Sequence, residues 1–128
     1  MQERHRFHRR ALEKAFVFAQ AIKVGDLLFV SGCLSMDLDG NAIGKNDWDA
    51  QVDAVYQEIK NTLEEYGMAM DHIVKETVFC TDMEGMTGAS DVRAQFFDPD
   101  HAPTATWVEI SRLVNPDCLL EVEVIAHA

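Results

Sequence analysis

The stretch DWDAQVDAVYQEIKNTLEEYG, residues 47–67, decides the fold class. Val52, Val55, Tyr56, Ile59, Leu63 and Tyr66 return every three or four residues, which lays them along one stripe of an α-helix. Asp47 or Asp49 can cap its start, and Gly67 suits the left-handed position that ends a helix. One long amphipathic helix is predicted over roughly 47–66. Before it, Phe16 to Val24 and Leu27 to Ser31 are rich in bulky and β-branched residues and read as a hairpin turning at Gly25-Asp26. After it, Ile73 to Thr81 reads as a strand with Val74 and Val78 on one side. A second helix, weakened by Gly85 and Gly88, runs to Phe96-Phe97 with Met86, Ala89, Val92, Arg93 and Phe96 as its stripe. Pro99 and Pro103 make the next segment a loop. Thr106, Val108 and Ile110 then alternate with Trp107, Glu109 and Ser111. Leu120, Val122 and Val124 alternate with Leu119, Glu121 and Glu123 in a final strand. The order ββαβαββ describes an α+β domain with its helices on one face of a mixed sheet.

The 128 residues fit one domain of ordinary globular composition, 48% hydrophobic and 26% charged. No apolar run approaches a membrane span, and a cleavable leader is not expected. Three widely spaced cysteines, Cys33, Cys80 and Cys118, point to free thiols in a reducing compartment, with the cytoplasm as the expected location. Charge is lopsided. Residues 1–14 hold five Arg or Lys against two Glu and read as a basic arm, which folds over the acidic body or stays mobile. Residues 15–128 form the domain proper and hold six against twenty, a net of −14. A body this acidic repels phosphate backbones, so nucleic acid is not the expected partner.

Familiar catalytic signatures are missing: there is no GxGxxG, GxxxxGK[ST], HExxH or GxSxG. Asp37-Leu-Asp-Gly-Asn41 opens like a calcium loop, but Ala42 and Trp48 stand where glycine and glutamate are required. His5 and His8 lie in the arm, and the other histidines show no ligand spacing, so no metal site is expected. Cys33 is weighed as a nucleophile and as a small packed residue, the packed reading being the default. Glu121 and Glu123 share one strand face about 7 Å apart. Mutual repulsion there raises a carboxyl pKa toward general acid–base use, while the bland alternative is a solvated face.

The segment Phe18-Ala-Gln-Ala-Ile-Lys-Val-Gly-Asp-Leu-Leu-Phe-Val-Ser31-Gly32 resembles the opening hairpin of the Rid family, also called YjgF or L-PSP endoribonuclease-like proteins. Val74-Lys-Glu-Thr-Val-Phe79 with Thr81-Asp82, then Phe96-Phe97, resemble later elements of that family. Pro103-Thr-Ala-Thr-Trp-Val-Glu-Ile-Ser-Arg-Leu113 and Leu120-Glu-Val-Glu-Val-Ile-Ala126 resemble its C-terminal signature. The resemblance implies a chorismate-mutase-like fold, a homotrimer, and small-molecule clefts between subunits. It also implies cofactor-free hydrolysis of reactive enamines and imines with release of ammonia. By position, Glu121 takes the role of the glutamate that positions water and moves protons. Phe18, Ser31, Gly32, Cys33, Ser90, Thr106 and Trp107 fall on substrate-binding positions.

Ala105 departs from the pattern. The family has an arginine there, which clamps a substrate carboxylate. Its loss argues for a substrate shifted away from simple 2-iminoacids, more apolar and stacked on Trp107. It also supports a second reading, a non-catalytic trimer that binds a metabolite as sensor or carrier. Endoribonuclease activity is a weaker third reading, opposed by the acidic body.

Overall fold

Six strands form a single sheet in the computed structural model, which describes residues 3–128. They are β1 (Arg4–Phe7), β2 (Ala21–Val24), β3 (Leu27–Leu34), β4 (Ile73–Cys80), β5 (Thr104–Glu109) and β6 (Leu120–His127). Their order across the sheet is β1-β2-β3-β6-β4-β5. Neighbours are antiparallel except β4 and β5, which run parallel. The four helices are α1 (Ala11–Ala15), α2 (Trp48–Glu64), α3 (Met83–Gly88) and α4 (Ser90–Ala94). The sheet is mixed and the class α+β, as the sequence predicts.

The long helix appears where its stripe places it. Asp47 caps α2 by accepting the Ala50 N–H at 3.0 Å. At the other end Gly67 takes φ 68°, and the Met68 N–H reaches back to the Leu63 carbonyl at 3.0 Å. Val52, Val55, Tyr56, Ile59 and Leu63 are wholly buried with Leu28, Val30, Val78, Leu120, Val122 and Val124 in the main core. Each such aliphatic side chain contributes about 1.5–3 kcal/mol. A smaller cluster of Leu34, Leu113 and Cys118, with Phe79 and Ile110 beside it, packs separately at one end.

The first fifteen residues differ from the expectation. Residues 4–7 are not an arm but the edge strand β1, in register with β2 from Arg4↔Val24 to Phe7↔Ala21. Residues 1 and 2 lie outside the described residues. Arg10 is 6% exposed and donates to Glu58 at 2.5 Å and to the carbonyls of Asp37 and Met36. Burial opposes its charge, but the bond to Glu58 prevails and raises its pKa. The expected strand from Phe16 is also shorter, because Phe16 to Phe18 closes α1. There the Phe18 N–H bonds the Glu13 carbonyl at 2.8 Å and the Val17 N–H bonds Lys14 at 3.2 Å.

Two further details correct the sequence reading. The second helix is two short ones, parted at Ala89 (φ −102°), so a single stripe never forms. A shift in the β4–β6 ladder between Ile73 and Lys75 leaves Val74 exposed, whereas Val78 is buried. The two valines therefore do not share a side.

Candidate active site on the open face of the sheet

Residues paired across a ladder share a face, so the registers assign every site residue to a side. Val122, Val78 and Cys33 face the helices; Glu121, paired with Leu34 and Phe79, faces away. The β3–β6 ladder shifts between Val30 and Cys33. That irregularity carries Gly32 directly against the glutamate. A Cβ on Gly32 would lie 1.9 Å from Glu121 Oε1, so the carboxylate occupies the space a side chain would need. The position is glycine because only a bare backbone admits so close an approach.

Glu121 is half-buried, and none of its side-chain oxygens accepts a hydrogen bond from the described residues. Burial pushes its carboxyl pKa up, and the negative charge of Glu123, two residues along β6, adds to the effect. This follows from the strand spacing, with burial as the larger cause. On the same face an open groove is lined by Phe18, Phe29, Ser31, Lys75, Thr77 and Glu123, neighbours of Gly32 and Glu121 among them. The Ser31 hydroxyl donates to the Ala19 carbonyl at 2.6 Å, which ties β3 to the Phe18 loop.

A partly desolvated, unpartnered carboxyl thus sits above a bulged glycine, and Glu123 and Ser31, rather than Glu121 itself, line the groove. The family model described as Endoribonuclease L-PSP matches residues 8–128. A RutC family protein of Pyrococcus abyssi is 36% identical over 110 residues, covering 86% of this chain and 85% of that one. The chain belongs to the L-PSP family. A solved Rid family protein of Yersinia pestis is 32% identical, with a TM-score of 0.81 over 88% of each chain. A YjgF family member from Mycobacterium tuberculosis shares the fold at a TM-score of 0.85, covering 98% of this chain and 100% of its own, at 24% identity.

Within this L-PSP family chain, Phe18, Ser31, Gly32 and Glu121 gather on the open face. Thr106 shares that face, in a row with Thr77 and Glu123, two strand spacings or about 10 Å from β6. Other expected residues are elsewhere. The Cys33 side chain points into the core, 0% exposed, where Gln20 Nε2 contacts Sγ at 3.2 Å. Burial, followed by Glu58, pushes its thiol pKa well up, which removes it as a nucleophile and leaves the packed reading. Ala105 and Trp107 pair with Glu76 and Val78 and so face the helix side. Ser90 begins α4 on that same side. The Trp107 ring packs on the main core with the Arg93 guanidinium 5.8 Å from its centre. It is not the free stacking platform the sequence suggested.

The sequence reading passed over a charged group beneath Ala105. Glu76, the β4 partner of Ala105, is 0% exposed. It accepts the Tyr56 hydroxyl at 2.8 Å and a two-point bond from Arg93 through Nε and Nη2. Arg93 also lies 4.5 Å from the Phe97 ring centre. Burial and Glu76 together push the Tyr56 pKa far above its ordinary value. One signal was available: Glu76 stands two residues before Val78 in a strand, hence on its buried side.

Proposed function

We propose that the protein is a cofactor-independent hydrolytic deaminase of a reactive enamine or imine metabolite, with Glu121 as its acid–base group. The observation that supports this reading is the carboxyl itself: half-buried, raised in pKa, unpartnered, and set against the bare backbone of Gly32. Glu121 takes a proton from water as the oxygen bonds to the imine carbon, and passes it to the C=N nitrogen to give a carbinolamine bearing NH2. The carbinolamine then collapses: the hydroxyl proton moves by way of the carboxylate to the NH2, the C–N bond breaks, and ammonia leaves as the carbonyl forms. A positioned group of this kind contributes about 10²- to 10⁴-fold to such proton transfers.

The working unit in this reading is a homotrimer. Ala105, Trp107 and Ser90 lie on the opposite side of the sheet from Glu121, so positions that the resemblance joins in one cleft meet only if a second copy supplies half of them. The open face also exposes apolar side chains, Phe29 at 44% and Val108 at 36%, that a neighbour would cover. Ala105 favours one competing reading, a trimer that holds a metabolite without turning it over. The net charge of −11 speaks against RNA as substrate.

The test is ammonia release. Enamines generated in situ, 2-aminoacrylate and aromatic analogues, lose ammonia spontaneously; the protein is expected to accelerate at least one of them. Saturable binding of these compounds with no acceleration would decide for the carrier.

A further inference from the structure

Phe18 borders three grooves. One holds Ser31, Lys75 and Glu123 and adjoins the Glu121 face. A second is apolar, with Leu12, Phe16, Leu34 and Val114. The third holds Arg6, His8 and Lys14 around Val17 and Ile22. We propose that Arg6 and Lys14, across Phe18 from the groove that holds Glu123, form an anion subsite that takes the carboxylate of a substrate with an apolar body. This rests on the reading of the Glu121 face as the reacting side.

The argument is one of charge and position. Arg9, Arg10 and Arg93 are committed to Glu58 and Glu76. Arg6 and Lys14, by contrast, make no ion pair with the described residues, and both are exposed. Cations left free together at a groove, on a protein of net charge −11, reverse the local field where an anion would enter. Phe18, Ala19 and Ile22 line both this groove and the one that holds Ser31 and Glu123, so an apolar body resting on Phe18 carries its charge to Arg6 and Lys14. Glu123 and the acidic body penalise a dianion more than a monoanion, which favours carboxylate over phosphate. The positive charge that Ala105 does not provide on β5 is thus available from β1 and α1, the segment that the sequence alone reads as an arm.

Titration of the full chain with benzoate, followed by NMR or calorimetry, tests the subsite. Arg6→Glu with Lys14→Glu is expected to weaken benzoate at least about tenfold, and Arg6→Gln with Lys14→Gln less. Benzyl alcohol at equal concentration is expected not to compete, and inorganic phosphate only weakly. Benzoate that fails to bind the wild type, or binds both double variants within twofold of it, overturns the proposal. So does phosphate competing as well as benzoate does. The two readings fail separately. Ammonia release that needs Glu121 with benzoate affinity blind to these cations sinks the subsite alone. Cation-dependent benzoate binding without ammonia release from any enamine sinks the deaminase reading alone.

Discussion

Gly32 and Glu121 occupy one place between them: the carboxylate of one fills the space where the other would carry a Cβ, 1.9 Å from Oε1. The atoms in conflict are the end of a flexible side chain and not backbone. Gly32→Ala is therefore expected to swing the carboxyl out of its place while leaving the core of the fold intact. Ammonia release should fall by about tenfold or more, as expected when a proton-transfer group is displaced. The melting temperature should move by only a few degrees. Loss of folding with activity, or full activity in a folded variant, would contradict this.

Burial and Glu123 raise the Glu121 carboxyl pKa, which fixes a sign for stability. A carboxyl that titrates higher in the folded chain favours folding fully only below the ordinary glutamate range. That contribution is lost as pH rises through the raised value. The folded chain is therefore less stable at neutral than at acid pH on account of this group. Glu121→Gln should be more stable than wild type at pH 7 and lose that advantage near pH 4, as denaturant titrations at the two pH values would show. Glu123→Gln removes the like charge and should shift the acid limb of the activity profile to lower pH.

Val17 stands at φ 61° in the turn that closes α1, the place that Gly67, at φ 68°, holds after α2. A β-branched residue there is strained by about 1–3 kcal/mol. Val17→Gly is expected to raise stability by about 1 kcal/mol, less the added freedom of the unfolded chain. An unchanged or lowered denaturation midpoint would show that the side chain contributes packing the turn needs.

Most of the fold could be read in advance from periodicity, and the failures have physical causes. The stripe of α2 and the alternation of β6 each bury a whole face, so their patterns are strong. β1 reads Arg-His-Arg-Phe because an edge strand buries only one side of itself, and three of its four residues are exposed. The pattern there is that of an arm. In the candidate site, Gly32 and Glu121 were named from the resemblance, and spacing supported only the carboxyl. The packing of Cys33 matches its default reading, whereas the placement of Trp107 was missed because which side of β5 faces the helices is not visible in a local window. Glu76 escaped notice because its partners are 20 and 17 residues away, at Tyr56 and Arg93.

That Glu76 group yields its own prediction. Arg93→Leu leaves a carboxylate 0% exposed with only the Tyr56 hydroxyl to hold it, and breaking a buried pair this way costs about 3–5 kcal/mol. Arg93→Leu combined with Glu76→Leu should recover most of that loss. Ala105→Arg would set a second guanidinium beside Glu76, so competition with Arg93 should appear as an altered near-UV dichroism of Trp107. An unchanged spectrum in a folded variant would mean that the new arginine points away from the pair.

The account depends most on Glu121, and the direct measurement compares kcat/KM for ammonia release between wild type and Glu121→Gln on the enamine the wild type processes fastest. A folded Gln variant with activity reduced by about 10²-fold or more is the predicted result. A rate within threefold of wild type would place the proton transfers on some other group and contradict the assignment.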